Sequence, residues 1–124
     1  MARRLELKKL ATDEANGGRD LDFGELMLLI LRAAPPGRGV TLDEMTAALD
    51  VIGPIEAALA EGADTVTLSD GQWKTLRAKL DVFPFNFVDR AVAEFGRHVR
   101  DAPEIGLGAA GNGRSREPMA PSPP

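Results

Sequence analysis

His98 is the only histidine and the chain has no cysteine, so nucleophilic or general-base chemistry would have to run through one imidazole. A catalytic histidine needs a nucleophile or an acid held within hydrogen-bond reach. Ser69 is the obvious hydroxyl, but it stands three residues before Gln72, where it reads as a helix cap. His98 follows Glu94 by one helical turn, an ordinary i,i+4 contact. A metal site is equally poorly supplied: one histidine, no thiolate, and carboxylates without EF-hand spacing. The segment GLGAAGNG at 106–113 has the glycines of a phosphate loop without its Lys-Ser/Thr end, and it neither follows a strand nor opens a helix. It reads as a flexible linker. These residues predict no catalysis, no cofactor, no metal and no small-molecule ligand.

The side chains left over suggest contact rather than reaction. Phe83, Phe85 and Phe87 stand close together in DVFPFNFVDR. On a helix, 83 and 87 would share a face and 85 would point elsewhere, so at least one is expected at the surface. Packing at a helix–helix corner would explain them; so would an aromatic contact site, since interfaces favour aromatics. These three are the candidate interaction residues. Asp43, Glu44 and Asp50 form an acidic face that would attract a basic partner, or is simply solvated.

GVTLDEMTAALDVIGPIEAALAEG, residues 39–62, has the look of a helix-turn-helix, with a β-like TVTL behind it where a wing could start. Charge speaks against DNA reading. Binding to DNA rests on neutralising phosphates, yet no Lys, Arg or His occurs between Arg38 and Lys74. That interval holds Asp43, Glu44, Asp50, Glu56, Glu61, Asp64 and Asp70. PIEAALAEG, the would-be recognition helix, has no Arg, Asn or Gln to read a base edge. The remaining cations cluster at Arg3, Arg4, Lys8 and Lys9 and on the last helix at Arg90, Arg97 and Arg100, where Asp89, Glu94 and Asp101 dilute them.

The elements that would position these residues follow from caps and periodicity. RLELKKL at 4–10 alternates and predicts a short strand; ATDEANGGR at 11–19 is a polar loop. Asp22 with Glu25, Thr41 with Glu44, and Ser69 with Gln72 have capping-box spacing, with Val40/Met45 and Leu68/Trp73 as staples. The first helix, to about Ala34, is apolar around most of its circumference and belongs at the centre of a bundle. The second carries Leu42, Met45, Leu49 and Ile52 on one face. Pro54 cannot bond the carbonyl four residues back, which predicts a kink or a fresh start at Gly53-Pro54. Ile55 and Leu59 continue the stripe. The third helix shows Trp73, Leu76 and Leu80 and ends at Pro84. The last starts near Phe85 and carries Val88, Val92, Phe95 and Val99.

With 124 residues, 44% hydrophobic and 27% charged, the chain has room for one domain and a modest core. The predicted fold class is mainly α: four to five helices around a central apolar helix, with a minor two-stranded pairing of residues 4–8 with 65–68. That domain spans residues 1–102. Residues 103–124, rich in Gly, Pro, Ala and Ser, are predicted to be a disordered tail. The basic start leads into no apolar signal segment. The longest apolar run, LMLLIL at 26–31, is far short of the roughly 20 residues a membrane span takes.

Over about residues 20–101 the order of elements resembles small helical proteins of tailed bacteriophages and prophages. The resemblance is carried by FGELMLLILRAAP, GVTLDEMTAALDVIGPIEAAL, VTLSDGQWKTLRAKL and FVDRAVAEFGRHV. It has no catalytic signature and carries over no site residue. It implies a virion-assembly or accessory role through protein contacts, in the host cytoplasm or on the virion. The expected function is therefore a non-enzymatic protein-interaction module whose partner is another protein or a second copy of itself. Nucleic acid and membrane are not expected partners. The alternative is a winged-helix-like transcriptional regulator.

Overall fold

Alternation starts at the third residue, Ala2 before it being buried. Arg3 and Leu5 point inward from β1 (Ala2–Glu6) while Arg4 and Glu6 point out. The chain turns back as a hairpin of β2 (Lys9–Ala11) and β3 (Asp20–Asp22), then runs through α1 (Phe23–Arg32), α2 (Leu42–Ala60), β4 (Thr65–Ser69), α3 (Asp70–Val82), α4 (Arg90–Arg100) and β5 (Glu104–Ile105). The computed structural model describes residues 1–105.

The architecture is mixed α/β, which corrects the expectation of a mainly helical bundle. One antiparallel sheet has the strand order β4-β1-β5; the second is the β2–β3 hairpin. β1 pairs with β4 from Ala2 opposite Ser69 to Glu6 opposite Thr65. The strand thus starts two residues earlier than the pattern at 4–10 suggests. The other strands had little signal to offer. β2, β3 and β5 are three, three and two residues long, too short for alternation to register. Residues 103–105, assigned to the tail on composition, include β5, and Ala102 just before it is buried. Residues 106–124, with the rest of the predicted tail and GLGAAGNG, lie outside the described residues.

α1 is the hub. Asp22 caps it by accepting the Glu25 amide at 3.2 Å, and Phe23, Met27 and Ile30 are fully buried. Leu5, Val66 and Leu68 from the sheet, Val51 and Ile55 from α2, Trp73 and Leu76 from α3, and Phe95 and Val99 from α4 close the core. Phe23 meets Phe95 edge to face, centroids 5.2 Å apart, the geometry aromatic quadrupoles favour. Trp73 donates its indole N–H to the Val99 carbonyl at 2.8 Å. The Arg3 guanidinium lies 3.9 Å above the Trp73 ring and also donates to the Ala102 carbonyl and to Glu104. Arg3 thereby binds β1, α3 and β5 together.

Thr41 and Ser69 both make complete capping boxes. Of the kink or fresh start expected at Gly53-Pro54, the fresh start does not occur: α2 is one helix with Pro54 inside it. Pro54 leaves the Asp50 carbonyl without its helical donor, and the Gln72 side-chain amide supplies one at 3.0 Å. The other end of that amide closes the α3 capping box by accepting from the Ser69 amide at 2.8 Å. With no turn in α2, the two-helix outline read in residues 39–62 is one continuous helix. Just past the Glu61 C-cap of α2, Gly62 sits at φ +69°. There Ala63 bonds back to Ala58 and Gly62 to Leu59, a Schellman closure that glycine makes without strain.

α4 starts at Arg90, not near Phe85. Pro84 holds the residue before it extended, and Phe83 sits at φ −73°, ψ 123°. Asp89 then caps α4, accepting the Ala91 and Val92 amides at 2.8 and 3.3 Å. Val88, expected on the apolar face, precedes the cap and is 94% exposed.

Candidate functional site

The second helix holds two overlapping apolar stripes. Ala48, Val51, Ile52 and Ile55 face the core. Leu42, Met45 and Leu49, expected to lie with Ile52 against that core, are instead 75%, 48% and 52% exposed. The buried side chains of α2 all come from Ala48 onward; in its first two turns Glu44 and Ala47 border a cavity shared with Thr75, Ala78 and Lys79 of α3. Between this stripe and the last turn of α1 opens a notch of about 240 Å³, lined by Leu31, Arg32, Val40, Met45, Ala48, Leu49 and Ile52. Val40 and Met45, spaced as a staple, both border it.

The charges around the stripe are uneven. Arg38 grips Glu44 with two guanidinium nitrogens at 2.8 and 2.6 Å. That grip, with the Thr41 amide, holds the Glu44 carboxyl down to about 2. Arg32 meets Glu56 at 3.4 Å. Asp43 and Asp50, two helical turns apart along the solvent edge, have no ion-pair partner among the described residues.

Of the three aromatic candidates the structure brings two together. Phe83 and Phe85 touch edge to face, centroids 4.8 Å apart. They line a groove of about 570 Å³ between the end of α3 and α4, with Val92, Gly96 and the Arg100–Asp81 pair at its rim. The helical placement of the trio fails because residues 83–89 are not helical: the chain is extended at Phe83 and bends at residues 86–87, which turns Phe87 away from the other two. Phe87 does not line the groove and is 46% exposed.

His98 is a structural acceptor. Its Nε2 takes the Glu6 amide at 2.9 Å, on the edge of β1 that β5 no longer covers, which places the proton of the neutral ring on Nδ1. Burial pushes its pKa below the ordinary value, with Lys8 adding to the effect and Glu6 and Glu94 opposing it. Glu94 bonds Arg97 rather than His98. Ser69 is spent on its cap. The cations of α4 are likewise engaged: Arg90 with Asp13, Arg97 with Glu94, Arg100 with Asp81.

Sequence reasoning missed the role of Asp89. Buried at the start of α4, it accepts from the Asp13 amide at 2.7 Å and from Asn16 at 2.9 Å as well as from its own helix. Asn16 also donates to the Val88 carbonyl, and Asp13 accepts from the Arg90 amide. The Asn16 bond leads the set of donors that hold the Asp89 carboxyl below its ordinary pKa. An aspartate just before an amphipathic run is a cap signal; the partner loop, more than seventy residues away, has none.

Comparison with known proteins finds no matching family model, no similar curated protein and no similar solved structure. Among the described residues no group of three or more His, Asp or Glu is placed to hold a metal ion. Nor is any described helix long and apolar enough to cross a membrane.

Proposed function

We propose that this chain is a non-enzymatic protein-interaction module, serving as an assembly or accessory factor of a phage or prophage in the host cell or on the virion. The reading is carried by one observation: Leu42, Met45 and Leu49 stand in solvent beside an apolar notch and take no part in the core. Contiguous exposed apolar surface of this kind marks contact sites. The Phe83–Phe85 groove differs in that both rings are partly buried against the core. The phage setting comes from the sequence resemblance alone.

Capture of tagged protein from its native lysate, with and without nuclease, tests the reading. The expected result is a stoichiometric protein partner, or a second copy, retained after nuclease treatment. It is expected to be lost when Leu42, Met45 and Leu49 are all replaced by Ser. Recovery of nucleic acid that nuclease abolishes, with no protein retained, would overturn it.

A further inference from the structure

We infer that the exposed stripe of α2 receives one amphipathic helix of a different protein, with apolar side chains one turn apart and lysines or arginines along one edge. This rests on the interaction-module reading and names the chemistry of the partner.

The shape of the site suits a helix. Leu42, Met45 and Leu49 follow i, i+3, i+7 spacing, the pattern by which helices anchor in grooves. The stripe runs on to Ile52, with the notch beside it to take one of the partner's apolar side chains. One rim is a wall formed by Leu31, Arg32 and Val40.

The other rim decides the partner's charge. It carries Thr46 and Gly53, both small, and beyond them Asp43 and Asp50. Long cationic side chains on a partner reach over the small residues to those carboxylates. Among the described residues no cation pairs with them: residues 39–73 contain none, and Arg32 and Arg38 are already turned to Glu56 and Glu44. A second copy is a poor occupant. Asp43 and Asp50 hold the same heptad position, so antiparallel α2 helices laid stripe to stripe would set like charges along the same edge. An acidic helix meets the same repulsion, so basic partners are selected as much by exclusion as by attraction.

The test uses the full chain and two synthetic helical peptides with the same leucine positions, one with a lysine polar face and one with a glutamate polar face, read by fluorescence anisotropy. The lysine peptide is expected to bind and the glutamate peptide not. Leu49→Ser should abolish binding, which separates docking from mere charge attraction. The Asp43→Asn/Asp50→Asn variant should weaken it about tenfold, the scale of two exposed ion pairs. All these residues are exposed, and unchanged circular dichroism confirms that the variants fold. Equal binding of both peptides would overturn the basic partner while leaving the module reading intact. Binding that survives Leu49→Ser would overturn the stripe as the site. So would failure of both peptides to bind. Neither result touches partner capture through another surface. A concentration-dependent dimer in sedimentation velocity, lost on Leu49→Ser, would show that a second copy is the occupant and overturn the choice of partner.

Discussion

Replacing Pro54 with Ala tests how α2 stays continuous. Proline in a helix interior costs about 3 kcal/mol relative to alanine. Part of that is the missing donor to the Asp50 carbonyl, which Gln72 replaces from the neighbouring helix. Alanine returns the donor and removes the ring clash, while a looser unfolded chain takes back about 0.4–1 kcal/mol. We expect Pro54→Ala to stabilise the protein by about 1–2 kcal/mol. For a domain of this size each kcal/mol raises Tm by about 4–8 °C. Gln72→Glu keeps an oxygen for the Ser69 amide but cannot donate to Asp50; in the parent it should cost about 1 kcal/mol, the net value of a hydrogen bond. In the Pro54→Ala background the carbonyl already has a backbone donor, so the same change should cost less than half as much. Any effect of the added charge is common to both backgrounds and cancels in the double-mutant cycle. Urea unfolding followed by Trp73 fluorescence and circular dichroism gives the four free energies. A coupling below about 0.3 kcal/mol, the level of ordinary additivity error, would refute the claim that Gln72 stands in for the donor that Pro54 lacks.

Phe23→Ala empties the centre of the core and should cost about 3–5 kcal/mol, measured by the same unfolding experiment; a loss under about 1 kcal/mol would mean that α1 is not the hub. Asp89→Asn keeps one acceptor oxygen but turns an NH₂ toward amides that now donate to a carboxylate, so amide exchange at Asp13 and Ala91 should speed up; unchanged exchange would show that the loop is held otherwise. His98 has a folded pKa below its unfolded one, so its contribution is present above about pH 6.5 and is lost as pH falls through the folded value. Urea midpoints taken from pH 8 to 5 should therefore decline in the parent and stay flatter in His98→Gln, whose amide oxygen can still accept from Glu6. Phe85→Ser probes the aromatic groove: capture of a partner that is unchanged in this variant places the contact elsewhere.

Much of the local structure was legible because its causes are local. The caps at Asp22, Thr41 and Ser69 and the inward faces of α3 and α4 at Trp73, Leu76, Phe95 and Val99 each depend on residues within a few positions of one another. The candidate site was legible only in part. Phe83 and Phe85 could be named from the sequence, but their meeting depends on the extended turn at Pro84, and Asp89 acquires its role from Asn16 across the fold. The lone charges of Asp43 and Asp50 were visible as an acidic face without any sign of what lay next to them.

By itself the sequence determined where the first three helices begin, roughly where the helices end and how charge is distributed, since these rest on short-range bonds and composition. Tertiary structure decided the rest. α2 contains two apolar stripes that share Ile52, and nothing within the helix says which faces inward; the positions of α1 and the sheet bury Ala48, Val51 and Ile55 and leave Leu42, Met45 and Leu49 in water. α2 runs on through Pro54, where Gln72 of the next helix donates to the Asp50 carbonyl that proline leaves without a backbone donor. The short strands β2, β3 and β5 exist because partners are held beside them. In each case the deciding group lies far along the chain, and only packing brings it within bonding distance.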